Sequence, residues 1–220
     1  MIKGSSTLSA VSHRDPRLNE FLGHFDGLGS EQRADLGSQF RVAPRDKLSA
    51  MTTYIALLRA VNVGGTGKLP MAALKSMCIE AGFTRVETYI ASGNVVFASK
   101  APAHKVKSEL ESRLRDHAGK SVGVLIRTAP EMLAVLKANP FPKAPPNYAY
   151  AIFLDEPPPG DAIERATGVN DEEIRLGARE IYVHYANGMG RSNLNIPAAK
   201  SGTARNMNTV AKLAEMASKL

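Results

Sequence analysis

The chain has no tryptophan, a single cysteine and only 6% aromatic residues. One cysteine, Cys78, excludes an internal disulfide and any zinc site built on cysteines, and points to the reducing cytoplasm. The shortage of aromatics leaves no evident stacking platform for single-stranded nucleic acid, although Tyr89, Tyr182 and Tyr185 fall in strand-like segments. No run approaches the roughly eighteen consecutive apolar residues of a membrane helix. Residues 1–30 lack the apolar centre of a signal peptide, so no membrane partner is expected. The five histidines show no metal-ligand spacing, and no metal site or cofactor is expected. No carboxylate pair, nucleophile–base arrangement or glycine-flanked serine stands out, so no catalytic residue is assigned.

What remains is an ordinary globular composition. Of 220 residues, 44% are hydrophobic and 22% charged, enough to bury a core in one domain or two small ones. The net charge is +7 and the pI about 9.6. Residues 1–50 hold 7 Lys+Arg against 6 Asp+Glu, so residues 51–220 carry +6. Residues 191–220 alone hold 5 basic residues against Glu215. A basic excess is usually solvated surface and less often a footprint for nucleic acid.

Residues 1–50 have no sustained apolar period and read as a disordered extension, or as an upstream reading before a true start at Met51. From Met51 the pattern is regular. Residues 53–60 form a strand apolar on both faces, followed by a glycine loop at 62–68. Pro70, an apolar period through Met71, Leu74, Cys78 and Ala81, and Gly82 mark a helix. Strands at 85–91 and 95–99 are joined through Ser92-Gly93-Asn94, which reads as a two-residue type II′ hairpin. A helix at 102–117 and a strand at 122–127 complete a split βαβ, or ferredoxin-like, unit over 51–138. A short helix at 130–138 and a proline-rich linker at 139–147 follow.

The second half, 148–220, reads as a strand at 148–154, a short helix at 161–167, a hairpin of 172–176 and 180–185, a loop at 187–203 and a helix at 205–220. It repeats the topology but lacks a final strand. The fold class expected is α+β, two ferredoxin-like halves with antiparallel or mixed sheets and helices packed on one face.

Two polar clusters stand out. Arg59 alternates with Ile55 and Leu57 and so shares a face with core residues. It is either a structural ion pair, with Glu87, or an anion-binding guanidinium. The segment Asn62–Lys68 fails as a phosphate-binding P-loop, because Asn62 stands where the first glycine belongs and Leu69 where Ser or Thr belongs. It still joins a strand to a helix N-terminus, a generic anion site. Ser92 and Asn94 are accounted for by turn chemistry. Thr203 reads as the N-cap of the last helix, and Asn206 as a core-facing group satisfying loop backbone. Arg205, read at a helix N-terminus where a cation is disfavoured, needs an acidic partner or an anionic ligand.

Four segments resemble one family. Ile55–Gly65, Thr88–Phe97, Asn139–Pro142 and Thr203–Leu213 are similar, in order, to the bacterial family called domain of unknown function 1697. The resemblance spans 51–220. It implies a cytoplasmic α+β protein with two related ferredoxin-like halves, and no established activity. Arg59, Asn62, Ser92, Asn94, Thr203, Arg205, Asn206 and Thr209 match its motif positions. Met207 stands where the family usually has Trp.

The expected ligand site therefore comprises Arg59, Asn62, Gly64, Gly65 and Lys68 from one cluster, and Ser92, Asn94, Thr203, Arg205, Asn206 and Thr209 around the other. The expected ligand bears phosphate, as a nucleotide or nucleic acid. The rival readings are an enzyme acting on an anionic small molecule in the same pocket, and a homodimeric scaffold in which these groups tie the halves together.

Overall fold

The computed structural model describes residues 51–62 and 69–220. The expected character of residues 1–50 and the positions of Gly64, Gly65 and Lys68 lie outside the described residues.

The first half runs β1 (Thr52–Leu58), α1 (Met71–Glu80), β2 (Thr84–Tyr89), β3 (Asn94–Ser99), α2 (Ala103–Ala118), β4 (Val124–Thr128) and α3 (Ala129–Lys137). The second runs β5 (Ala149–Phe153), β6 (Glu172–Leu176), β7 (Glu180–Tyr185), β8 (Thr203–Asn206) and α4 (Met207–Ser218). Each half forms a four-stranded antiparallel sheet, in the orders β2-β3-β1-β4 and β6-β7-β5-β8. These are the same order, that of a ferredoxin-like unit. The fold is α+β, as expected.

Alternation along the central strands assigns the layers. Tyr54, Ala56 and Leu58 of β1 face α1 and α2, which cover the outer face of the first sheet through Leu74, Cys78, Val106 and Leu110. Ile55 and Leu57 face the other way. With Val96 and Leu125 they meet Met132 and Val135 of α3 and Met207, Val210 and Leu213 of α4. The same cluster contains Ala151 and Phe153 of the second sheet. The helix that ends each half thus lies between the two sheets, and the halves share one core. The outer face of the second sheet buries Ile152, Ile181 and Val183 beneath Ile196 and Leu194 rather than beneath helices.

Four local readings are corrected. The short helix expected at 161–167 is a run of turns. The β2–β3 connection is not a two-residue turn: it spans Ile90–Gly93, with positive φ at Ile90 (49°) and Gly93 (77°). Gly93 is required by space as well as conformation, since a Cβ there would lie 2.8 Å from Leu58 Cβ. The second half does have its final strand, β8. The last helix consequently starts at Met207, and its N-cap is Asn206, whose Oδ1 accepts from Thr209 N–H at 3.0 Å, not Thr203. Arg205 is in a strand, so the helix-dipole argument does not apply to it.

Candidate functional site at the junction of the halves

The ladders put the two halves in register. Ile55 of β1 pairs with Val96 on β3 and Arg127 on β4. Ala151 of β5 pairs with Tyr182 on β7 and Arg205 on β8. Arg127 and Arg205 therefore occupy equivalent positions. Each is followed by the N-cap of the helix that closes its half, Thr128 or Asn206. By the same register Leu58 is equivalent to Leu154, and Asn94 to Glu180.

Both arginines are buried, at 7% exposure for Arg205 and 1% for Arg127, and each reaches into the opposite half. Arg205 Nε donates to Asn94 Oδ1 at 2.5 Å, Nη1 to Thr203 Oγ1 and Ala204 O at 2.8 Å each, and Nη2 to Leu58 O and Ser92 O at 2.9 Å each. Nη2 also lies 3.5 Å from Gly93 O, so all five N–H donors have acceptors, which is the full capacity of a guanidinium. Arg127 repeats the geometry. Nε and Nη2 donate to Glu180 Oε1 at 3.1 and 2.9 Å, Nη1 to Ile126 O at 3.0 Å, and Nη2 also to Leu154 O at 2.8 Å. Each arginine binds its equivalent leucine carbonyl, the first residue of the equivalent strand across the junction, and the carbonyl preceding it in its own strand.

The two differ in charge. Arg127 is paired with a carboxylate, Glu180, itself 4% exposed. Its guanidinium lies 5.4 Å from the centroid of the Phe153 ring. Arg205 meets neutral acceptors alone among the described residues, and burial pushes it down to about 10. Burial also lowers Arg127, against the pull of Glu180.

The expected site residues separate into three groups. Ser92, Asn94, Thr203 and Arg205, all of the second cluster, come together, and Arg205 reaches the end of β1 at Leu58 O, beside Arg59. Asn94 Nδ2 donates to Tyr89 O and Ser92 Oγ, both at 3.0 Å, and the Thr203 hydroxyl to Leu58 O at 3.2 Å. Asn206 and Thr209 form the cap of α4, with Thr209 buried. Arg59 and Asn62 stand at the end of β1. Asn62, at φ 57°, donates to Leu69 O (3.0 Å) and Ala91 O (2.7 Å) and accepts from Leu69 N–H (2.8 Å). It thereby closes the base of the glycine segment. Arg59 is half-buried and donates through Nη2 to Lys200 O at 2.6 Å.

Arg127 and Glu180 did not emerge from the sequence. They are 53 residues apart, each with ordinary strand neighbours. The signal that finds them is the internal repeat, Ile126-Arg127-Thr128 against Ala204-Arg205-Asn206, each ahead of a helix. Among the described residues, no group of three His, Cys, Asp or Glu side chains could hold a metal ion, and no helix is long and apolar enough to cross a membrane.

The chain matches no curated protein. Its fold is similar to that of the conserved bacterial protein SP0830 from Streptococcus pneumoniae, with a TM-score of 0.65 and 26% identity, covering 76% of this chain and 99% of that one. Residues 51–182 match the family described as protein of unknown function (DUF1697), and the chain belongs to that family.

Proposed function

We propose that the protein binds a phosphate-bearing ligand at the end of β1, with Arg59 as the contacting cation. The observation that carries this reading is the unmatched charge of Arg205. It is held against Leu58 O, one residue from Arg59, with no carboxylate beside it among the described residues, whereas its equivalent Arg127 has Glu180. A buried cation of this kind places the end of β1 in a positive field. Arg59 is half-exposed and, among the described residues, spends one N–H on Lys200 O, which leaves most of its fork for an anion. The role of Arg205 in this reading is electrostatic, since its donors are all taken. Asn94, Ser92 and Thr203 hold Arg205, and Asn62 fixes the loop base beside Arg59. The scaffold reading is favoured for these holding residues by their saturation, and it is compatible with an anion bound in front of them.

The test is binding of ATP, inorganic triphosphate and a short single-stranded oligonucleotide to the 220-residue chain at low salt, with Arg59→Ala alongside. Arg59→Ala should weaken binding by about tenfold or more, the loss of a charge-assisted contact, and leave the unfolding midpoint unchanged. Affinity for the oligonucleotide should fall steeply with salt if nucleic acid is the ligand, and nucleotide alone should bind if it is not. No binding by any of the three, or equal binding by Arg59→Ala, overturns the reading.

A further inference from the structure

The two halves diverge most around the end of the β6–β7 ladder, where Glu172 pairs with Tyr185. In the first half the corresponding strand ends adjoin the helices α1 and α2. In the second, the segments before β6 and after β7 hold no α-helix, only turns and short 3-10 helices at Met189–Arg191 and Pro197–Ser201, and residues 168–172 and 187–193 flank an open-mouthed cavity of about 580 Å³. That lies within the roughly 300–1,000 Å³ of small-molecule sites.

The walls are fixed by specific contacts. Thr167 and Asn195 exchange backbone hydrogen bonds at 2.9 and 2.8 Å. Gly168, at φ 68°, lies so close to the facing loop that a Cβ would stand 2.2 Å from Asn193 O. The Glu172 carboxylate accepts from Asn170 N–H at 2.8 Å and from the Ser192 hydroxyl. The Asp171 carboxylate accepts from the Asn187 carboxamide. The hydrogen bonds from Ser192 and Asn170 hold Glu172 below the usual carboxylate range.

We propose that this cavity binds a neutral, hydroxyl-rich small molecule of mono- to disaccharide size. Two carboxylates and the carboxamides of Asn170, Asn187 and Asn193 line it, with Arg191 beside them. An anion would face Asp171 and Glu172. A metal ion would find two carboxylates, each already accepting a hydrogen bond, with no third His, Cys, Asp or Glu beside them among the described residues. An apolar ligand would strand the polar wall without partners. Vicinal hydroxyls donate to the carboxylates and accept from the carboxamides and Arg191, so they satisfy both kinds of group. Val169 and Tyr185 also line the cavity and supply apolar cover for C–H faces.

The test is a titration of the isotope-labelled 220-residue chain with sucrose and with myo-inositol, read by amide NMR shifts, with inorganic phosphate and calcium chloride as controls. Sucrose or inositol should give saturable shifts confined to residues 168–193. The double variant Asn170→Ala/Asn193→Ala, at two exposed positions, should keep a folded spectrum and lose about tenfold or more in affinity, the effect of two hydrogen bonds. Arg59→Ala should titrate as wild type, which separates this site from the anion site. Polyols that leave these amides unmoved, shifts produced by phosphate or calcium instead, or a double variant that binds as wild type would overturn the proposal.

Discussion

Arg127 and Arg205 are the same device made twice, with one difference that changes its chemistry. Both stand on the last strand of a half, both reach across to a leucine carbonyl, and both are buried. Where Arg127 finds Glu180, Arg205 finds Asn94. The first clamp is electrically closed and the second carries an uncompensated charge. The surrounding packing differs too. Counting from the N-caps, Ala134 of α3 and its C-cap Ala138 are equivalent to Lys212 and Met216 of α4. The smaller pair lines a cavity of about 200 Å³ beside the Arg127 clamp, bounded also by Glu131, Arg179 and Tyr182. A duplicated frame has thus been closed at one junction by an ion pair and left positive at the other. Saturation of hydrogen bonds and neutralisation of charge are therefore separate requirements.

The largest effect should come from stranding a charge. Arg127→Met leaves Glu180 buried without its cation and should cost about 3–5 kcal/mol in urea unfolding. Arg127→Met with Glu180→Leu should recover most of that loss, because a well-packed apolar pair often replaces a buried ion pair without penalty. A double variant as unstable as the single one would show that the hydrogen bonds, not the charge, dominate. Arg205→Met removes hydrogen bonds to the same kinds of carbonyl but strands no opposite charge. It should cost less, about 2–3 kcal/mol, from unsatisfied Asn94, Leu58 and Ser92 acceptors. If Arg205→Met is the more damaging of the two, the contrast drawn between the clamps fails.

The repeat was legible in the sequence only where apolar spacing carried it. In the first half, Leu74 and Cys78 of α1 and Val106, Leu110 and Leu114 of α2 keep helical periods. The tight αL ends at Gly82 and Gly119 punctuate them. Strand β8 was not legible, because its two inward residues, Thr203 and Arg205, are polar. An inward-facing arginine satisfied by carbonyls from the opposite half reads, in one dimension, as a cation in the first turn of a helix that needs an anion. The loop layer over the second sheet was misread at 161–167 because turns there carry helix-forming residues, with Ala162 buried and Ala166 packed on the core at helical spacing. The polar candidates were drawn from motif positions, and the sequence alone could not separate those holding Arg205 from Arg59 in front of it.

The helix caps sharpen the comparison at a smaller scale. Thr128 and Asn206 sit at equivalent positions, but Thr128 belongs to a capping box. Its hydroxyl accepts from Glu131 N–H at 3.4 Å while the Glu131 carboxylate accepts from Thr128 N–H at 2.7 Å. Asn206 uses one bond, to Thr209 N–H. Asn206→Ala should cost about 1 kcal/mol. Thr128→Ala should cost somewhat more, because it loses both the hydroxyl's bond from Glu131 N–H and its donation to the Glu131 carboxylate at 2.9 Å, keeping only the backbone N–H bond. A loss at Thr128 no greater than that at Asn206, measured by urea unfolding, would show that the hydroxyl's extra bond adds nothing to the cap.

The smallest effect concerns acid. Burial works against the Glu131 charge, but hydrogen bonds from Thr128 and the Arg179 guanidinium outweigh it, so the carboxyl is held below its usual 4.5. A carboxyl depressed in the folded state stabilises above its unfolded pKa, and that contribution disappears as pH falls through the folded value. The region around the Arg127 clamp should therefore weaken below about pH 4.5. The Arg205 clamp has no carboxylate among the described residues and should lack this dependence. Glu131→Gln should lower stability modestly near neutral pH and flatten the acid limb of the profile, while Arg205→Met should shift the curve down without changing its shape. Unfolding midpoints measured across that limb would decide. Parallel acid limbs for wild type and Glu131→Gln would place the acid sensitivity outside the clamp.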